Sequence, residues 1–327
     1  MKRLRLAAAL GLLACGLVRA ATPPVATAAL PPDWYPESVA AGPDGSLYIG
    51  SWRQGAVARL RPGASEAEVL VKPGANGLAN AQGVLVDARR QLLWVCSGSM
   101  GFTTVPMTPS ALKSYDLVSG APRGDYPMPD AGYCNDLAQD KSGVLYVSDS
   151  LHPRVLRLLP GSIGLAVWKE DPALSTGDPY FLNGIAIDAD GHLYISAVAA
   201  VDYLYRIDIG RGGKAGPVQR IKAPRVMKNV DAIRIAGPGR LVLFESNAFG
   251  NDGPYGGAVS IAQVDGRGMR SLTQLVRGLN DPSSGTVFAN RIYFIESKYQ
   301  LLLKHKGDET AIPRGVPFAL ESLPLPK

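Results

Sequence analysis

The sequence predicts an all-β protein built as a six-bladed β-propeller. Three observations carry that expectation: a strand–turn–strand unit recurs six times, its register is fixed, and Gly and Pro are abundant, at 37 and 26 of 327 residues. Such a composition suits many short strands joined by turns. The length allows a large core in one or two domains.

The unit is an alternating strand, a Gly-type turn and a second strand rich in Leu, Tyr, Ile and Val. Its copies are PESVAAGPDGSLYIGS (36–51), GVLVDARRQLLWVCSG (83–98), CNDLAQDKSGVLYVSDS (134–150), LNGIAIDADGHLYISAV (182–198), DAIRIAGPGRLVLFESN (231–247) and a degenerate SSGTVFANRIYFIESK (283–298). A further strand with an aromatic residue or Arg follows most copies: AVARL (56–60), LKSYDL (112–117), RVLRLL (154–159), YLYRIDI (203–209), AVSIAQV (258–264) and, in the sixth, QLLLKHK (300–306). Glu37 to Leu47, Asn135 to Leu145, Asn183 to Leu193 and Asp231 to Leu241 are each ten residues apart; Gln82 to Leu93 needs one more. Copies start about 45 to 53 residues apart, a period that fits propeller blades of three or four strands. Each blade buries its faces only against its neighbours, so the array must close into a ring. Two β-sandwiches, the alternative, predict no fixed register.

The expected organisation is a signal peptide at 1–20, a flexible leader at 21–33, the propeller at 34–310 and a C-terminal tail at 311–327. The opening MKRLRLAAALGLLACGLVRAA has a basic start, a short apolar run and small residues, with Val18 and Ala20 preceding a cleavage point. That pattern is an export signal, too short to span a membrane, and it predicts a periplasmic or secreted protein. LLAC (12–15) offers a rival, a lipoprotein signal with Cys15 lipidated. Lys2, Arg3, Arg5 and Arg19 supply +4 of the formal +6, so the remainder carries +2. No basic stripe argues for nucleic acid, and nothing signals an oligomer.

In a propeller the first strand of each blade lines the central channel. The residues opening those strands therefore form a ring at one mouth: Glu37, Gln82, Asn135, Asn183, Asp231 and, in the sixth blade, Ser283. Glu, Asn, Asn and Asp converging there make a hard, oxygen-rich site suited to Ca²⁺, or to Mg²⁺ or Mn²⁺ with water. The bland alternative is that Asn and Asp cap strand starts and turns.

These motifs resemble the senescence marker protein/gluconolactonase family of six-bladed propellers over about residues 34 to 310. The resemblance rests on PES (36–38), CND (134–136), LNGIAID (182–188) and VDAIRI (230–235). It implies one divalent cation, calcium first, held by Glu37, Asn183 and Asp231. It also implies substrate or water binding by Asn135, Asp231 as catalytic base, and hydrolysis of sugar lactones. The chain departs from the family pattern at Ser38 and Ala232, where Gly is usual, at Ala197 in place of an acid, and at Tyr133 in place of Arg. The missing Arg argues against a sugar-acid substrate.

Asp149, Glu245 and Glu296 each lie four residues after an aligned position and are expected to return beside the ring, as a base or supporting partner or as a solvated rim. Cys96 and Cys134 fall near the same mouth on adjacent blades, which predicts a disulfide; free buried thiols are the alternative. Of the three histidines, His192 falls in a hairpin turn, His305 in a late outer strand, and only His152 follows a strand end facing the mouth. G-x-S-x-G, H-E-x-x-H and C-x-x-C motifs are absent, and Gly-rich 210–216 reads as a loop. Insertions at 99–111 and 247–258 are expected to shape the pocket rim. The function expected is a metal-dependent hydrolase of small-molecule lactones or esters. The alternative is a non-catalytic NHL-type propeller binding a protein or glycan.

Overall fold

In the computed structural model, the residues described are 23–176, 182–197, 199–247, 253, 255–266 and 268–327. The signal segment, with Cys15, lies outside them. Six four-stranded antiparallel sheets form the six blades of the propeller. Their inner strands are Pro36–Ala41, Asn80–Asp87, Cys134–Gln139, Leu182–Ile187, Val230–Ile235 and Gly285–Phe288.

The core is divided as a ring requires, into six apolar clusters between neighbouring blades. Blades one and two share Tyr48, Val57, Leu78, Val84, Leu93 and Tyr115. The last interface joins Ile295, Phe318 and Leu320 of blade six to Leu47, Ile49 and Ala58 of blade one. No blade has a core of its own, so its stability comes from its neighbours.

Blade six corrects three expectations. Its strand order runs from Gly285–Phe288 through Arg291–Ile295 and Phe318–Pro324 to Val25–Leu30. Within the expected leader at 21–33, Val25–Leu30 is therefore not free: Val25 pairs with Ser322 and Leu30 with Phe318. Nor is 311–327 a tail, because it holds the third strand. The physical reason is the exposed edge that a three-stranded last blade would leave; the N-terminal strand covers it and closes the circle. QLLLKHK, in turn, is not a strand. Gln300–Leu303 forms a short helix with Leu302 buried. A contiguous run of Leu and Gln suits a helix, whereas Phe318–Pro324 alternates buried and half-buried positions as an outer strand should. His305 accordingly follows this helix, and His192 opens a second strand, His192–Ala197.

Five inner strands share a feature hidden in the sequence. Pairing with the second strand slips by one residue between Pro36 and Val39, Ala81 and Val84, Cys134 and Leu137, Leu182 and Ile185, and Val230 and Ala232. These are β-bulges, which bend a strand and re-aim a side chain. Each contains the predicted ring residue. The residue after it serves the next blade: the Ser38 hydroxyl accepts the Val84 N–H at 3.1 Å, and the Asp136 carboxylate accepts the Ile185 N–H at 3.2 Å. At Gly83 and Gly184 the contact is so close that a Cβ would lie 2.6 Å from Asp136 Oδ1 or from Ala232 Cα. Ser283 completes the circle by donating to the Glu37 carbonyl at 2.8 Å.

Candidate metal and substrate site

The bulges aim Glu37, Gln82, Asn135, Asn183 and Asp231 into one cavity of about 300 Å³ at the channel mouth. Ser283 is buried beside it, bonded to Ser297 at 2.6 Å. The Asn183 amide donates to Asp231 Oδ1 at 2.5 Å, and Ser246 also bonds the Asp231 carboxylate. Asn135 Nδ2 donates to Ser150 at 2.9 Å, and Ser150 to the Leu182 carbonyl at 2.6 Å. Asn135 Oδ1 is buried without a protein partner.

Burial and mutual repulsion load this site. Burial pushes the Asp231 carboxyl from its ordinary 3.8 to about 7, against the hydrogen bonds from Ser246 and Asn183. Burial, then the charges of Asp231 and Asp136, raise Glu37 well above the carboxylate range. Tyr133 and Tyr299, also on the cavity wall, are held neutral by burial and then by the carboxylates of Glu37 and Asp231. Two buried acids that resist ionising together, beside an orphaned amide oxygen, fit a hard divalent cation. The donor set therefore suits the ion that the motifs imply: two carboxylates, and amide groups that can turn their oxygens inward.

The floor of the site was not visible in the sequence. Arg234 of blade five reaches Asp136 of blade three at 2.8 Å. It also donates to the Gly285 carbonyl at 3.0 Å and to Ser284 at 3.0 Å. It thus ties three blades together, and it is the positive charge that opposes the rise in Glu37.

The three recurrent acids are placed differently from the expectation, since none lines the cavity. Asp149 accepts the Tyr133 N–H at 2.9 Å and Arg154 Nε at 2.9 Å, and lies 3.0 Å from His152 Nδ1. Glu245 is gripped by Arg225 at 2.6 and 2.8 Å and by Ser260 at 2.6 Å. Glu296 accepts the Asn280 N–H and faces Glu321, whose carboxyl is pushed up to about 7 by burial and then by Glu296. Strand ends do return to the mouth, but these side chains anchor loops. His152, bound to Asp149, is likewise outside the cavity lining.

Cys96 and Cys134 are joined in a disulfide that links blades two and three, with Cα atoms 5.1 Å apart. It holds together two short runs that matter to the cavity. A Cβ on Gly98 would lie 2.3 Å from the Tyr133 hydroxyl, so Gly98 makes room for the ring that stands where the family pattern has Arg. The insertion at 99–111 contributes Ser99 and Met100 to the cavity. In the insertion at 247–258, residues 248–252 and 254 lie outside those described.

A second acidic group, Asp188, Asp190 and His192, brings ligand atoms within 4.8 Å of one another. It sits at the far end of blade four's first hairpin. Asp188 already accepts the backbone N–H groups of Asp190 and His192, each at 2.9 Å, and the Tyr194 hydroxyl at 3.1 Å. Asp140 makes the same turn in blade three, with Ser142 and Val144. Turn formation accounts for the group. Among the described residues, no helix is long and apolar enough to cross a membrane.

The fold and the ring define a six-bladed propeller with a carboxylate–amide site at one mouth, and known structures share its architecture. A gluconolactonase from Xanthomonas campestris superimposes with a TM-score of 0.60 at 18% identity, over 94% of this chain and 99% of that one. Virginiamycin B lyase from Staphylococcus aureus gives 0.56 at 12% identity, over 88% and 80%. A chain of a nidogen/laminin complex gives 0.56 at 15%, over 77% and 86%. At these identities the likeness is one of fold. No protein-family model and no curated protein sequence matches the chain.

Proposed function

We propose that the protein is a divalent-cation-dependent hydrolase of lactones or related esters. One observation carries this reading: Glu37, Asn183 and Asp231 meet in a single cavity with both carboxyls pushed up by burial. In this reading Glu37, Asn183 and Asp231 hold the ion, with calcium favoured by the all-oxygen set. When bound, the cation supplies positive charge for the carbonyl oxygen of the substrate.

The chain's own residues do the rest. Asp231 accepts a proton from water as the water oxygen bonds to the acyl carbon. The ester C–O bond breaks and the proton passes to the leaving alkoxide, so a lactone yields a hydroxy acid. Asn135 offers its free Oδ1, and its Nδ2 stays fixed on Ser150, to orient substrate or water. The second reading, a binding propeller without turnover, draws on Tyr133 in place of Arg and on the nidogen likeness. Calorimetry with CaCl₂ and a lactone-hydrolysis screen separate the two. Stoichiometric binding and turnover, both lost in Glu37→Gln, are expected; a wild-type protein that binds no ion and turns over no lactone overturns the proposal.

A further inference from the structure

The cavity lining combines polar residues with large apolar ones. Glu37, Asn135, Asn183 and Asp231 come from the inner strands. The walls above them come from the connections between second and third strands: Trp52 in blade one, Met100 in blade two, Leu151 in blade three and Leu303 in blade six. Tyr133 and Tyr299 also line the cavity. Trp52 and Tyr299 pack edge-on with centroids 4.7 Å apart. Met100 and Leu151 are each 44% exposed, so the rim presents apolar surface to solvent. Among the described residues, no Lys, Arg or His lines this cavity.

We infer that the substrate is a small neutral lactone or ester carrying an alkyl or aryl substituent, with that substituent against Trp52, Met100, Leu151 and Leu303. The inference rests on the hydrolase reading above and narrows it. Beyond Ser99, Ser150 and the unpartnered Trp52 Nε1 and Tyr133 hydroxyl, the wall offers a polyhydroxylated lactone few partners, so most of its hydroxyls would lose water against Leu, Met and Trp. An anionic substrate would enter beside Glu37 and Asp231 with no cationic side chain on the wall to meet it. The volume lies at the small end of the range for small-molecule sites, roughly 300–1,000 Å³. It suits one compact ring with a short substituent.

The test compares two substrates on calcium-loaded protein: a δ-lactone with a five-carbon side chain, and glucono-δ-lactone. Calorimetry with the two matching lactams, which resist hydrolysis, gives a readout independent of turnover. We expect the alkyl lactone to be favoured in kcat/KM by at least about tenfold, and the alkyl lactam to bind more tightly. Met100→Gln and Leu151→Gln, both at exposed positions, are expected to shrink those preferences by a similar factor. Preference for the sugar lactone or its lactam overturns the inference while leaving a hydrolase. Binding of the alkyl lactam without hydrolysis of either substrate overturns the hydrolase reading and upholds the apolar ligand. Binding of neither lactam overturns the inference.

Discussion

Asp231→Asn should stabilise the cation-free protein although it removes a residue assigned to the chemistry. The folded-state carboxyl lies near 7 against an ordinary 3.8. A carboxyl raised on folding binds its proton more tightly in the native state. Stability is therefore undiminished below the unfolded value and falls as pH rises from about 4 to 7. At about 1.36 kcal/mol per pH unit, the penalty reaches about 4 kcal/mol at pH 8 and stays under about 2 kcal/mol at pH 5. Asp231 keeps partial exposure to the cavity, and water there screens the charge, so about 2 kcal/mol is the working figure at pH 8. An amide of the same shape carries no such penalty and still accepts from Asn183. In EDTA at pH 8, urea denaturation should show the variant more stable than wild type by about 2 kcal/mol, with most of that gain gone at pH 5. In saturating CaCl₂ the order should reverse, because only wild type gains from the ion. A variant no more stable than wild type at pH 8, or one keeping the full calcium response, would refute the reasoning.

Three other perturbations probe the frame. Reducing the Cys96–Cys134 bond, or replacing both residues with Ser, opens a loop spanning 38 residues. This should cost about 4 kcal/mol in the chain-entropy account, read as a shift in the urea midpoint. Arg234→Met leaves the buried Asp136 carboxylate without its cationic partner; a loss of about 3 kcal/mol is expected, again read as a shift in the urea midpoint. Deleting residues 23–31 exposes the edge of Phe318–Pro324 and uncovers Leu30's place in the last interface. Scattering and thermal melts should report association and a lower midpoint; an unchanged, monodisperse protein would show that the strand is dispensable.

The blade count was legible because each blade writes its own hydrophobic alternation over about fifty residues, and the register repeats. The ring was legible for the same reason: Glu37, Asn135, Asn183 and Asp231 occupy one position in aligned copies. The bulges were not, since the extra residue recurs in each of these copies and leaves the spacing of ten intact. The Arg234–Asp136 bond joins residues 98 apart in sequence, beyond the reach of any local pattern. The closing strand was misread for a related cause. VATAAL is short, and its exposed and buried positions acquire meaning only beside a partner near residue 320. Asp149, Glu245 and Glu296 share a register, but register says where a strand ends and not which partner waits there.

The pairing of Val25–Leu30 with Phe318–Pro324 sets an order on assembly. The strand synthesised first must wait for one of the last, with the five intervening blades already strung between them. Glu37 lies just after the waiting strand, and Asp231 belongs to the fifth blade. The acids that repel each other are thus brought face to face only when the circle shuts. A nascent chain lacks the completed ring, and a truncated one has no mouth. The same closure that completes the architecture also switches on its electrostatic strain, so a cation arriving then would act as the final fastening of the ring.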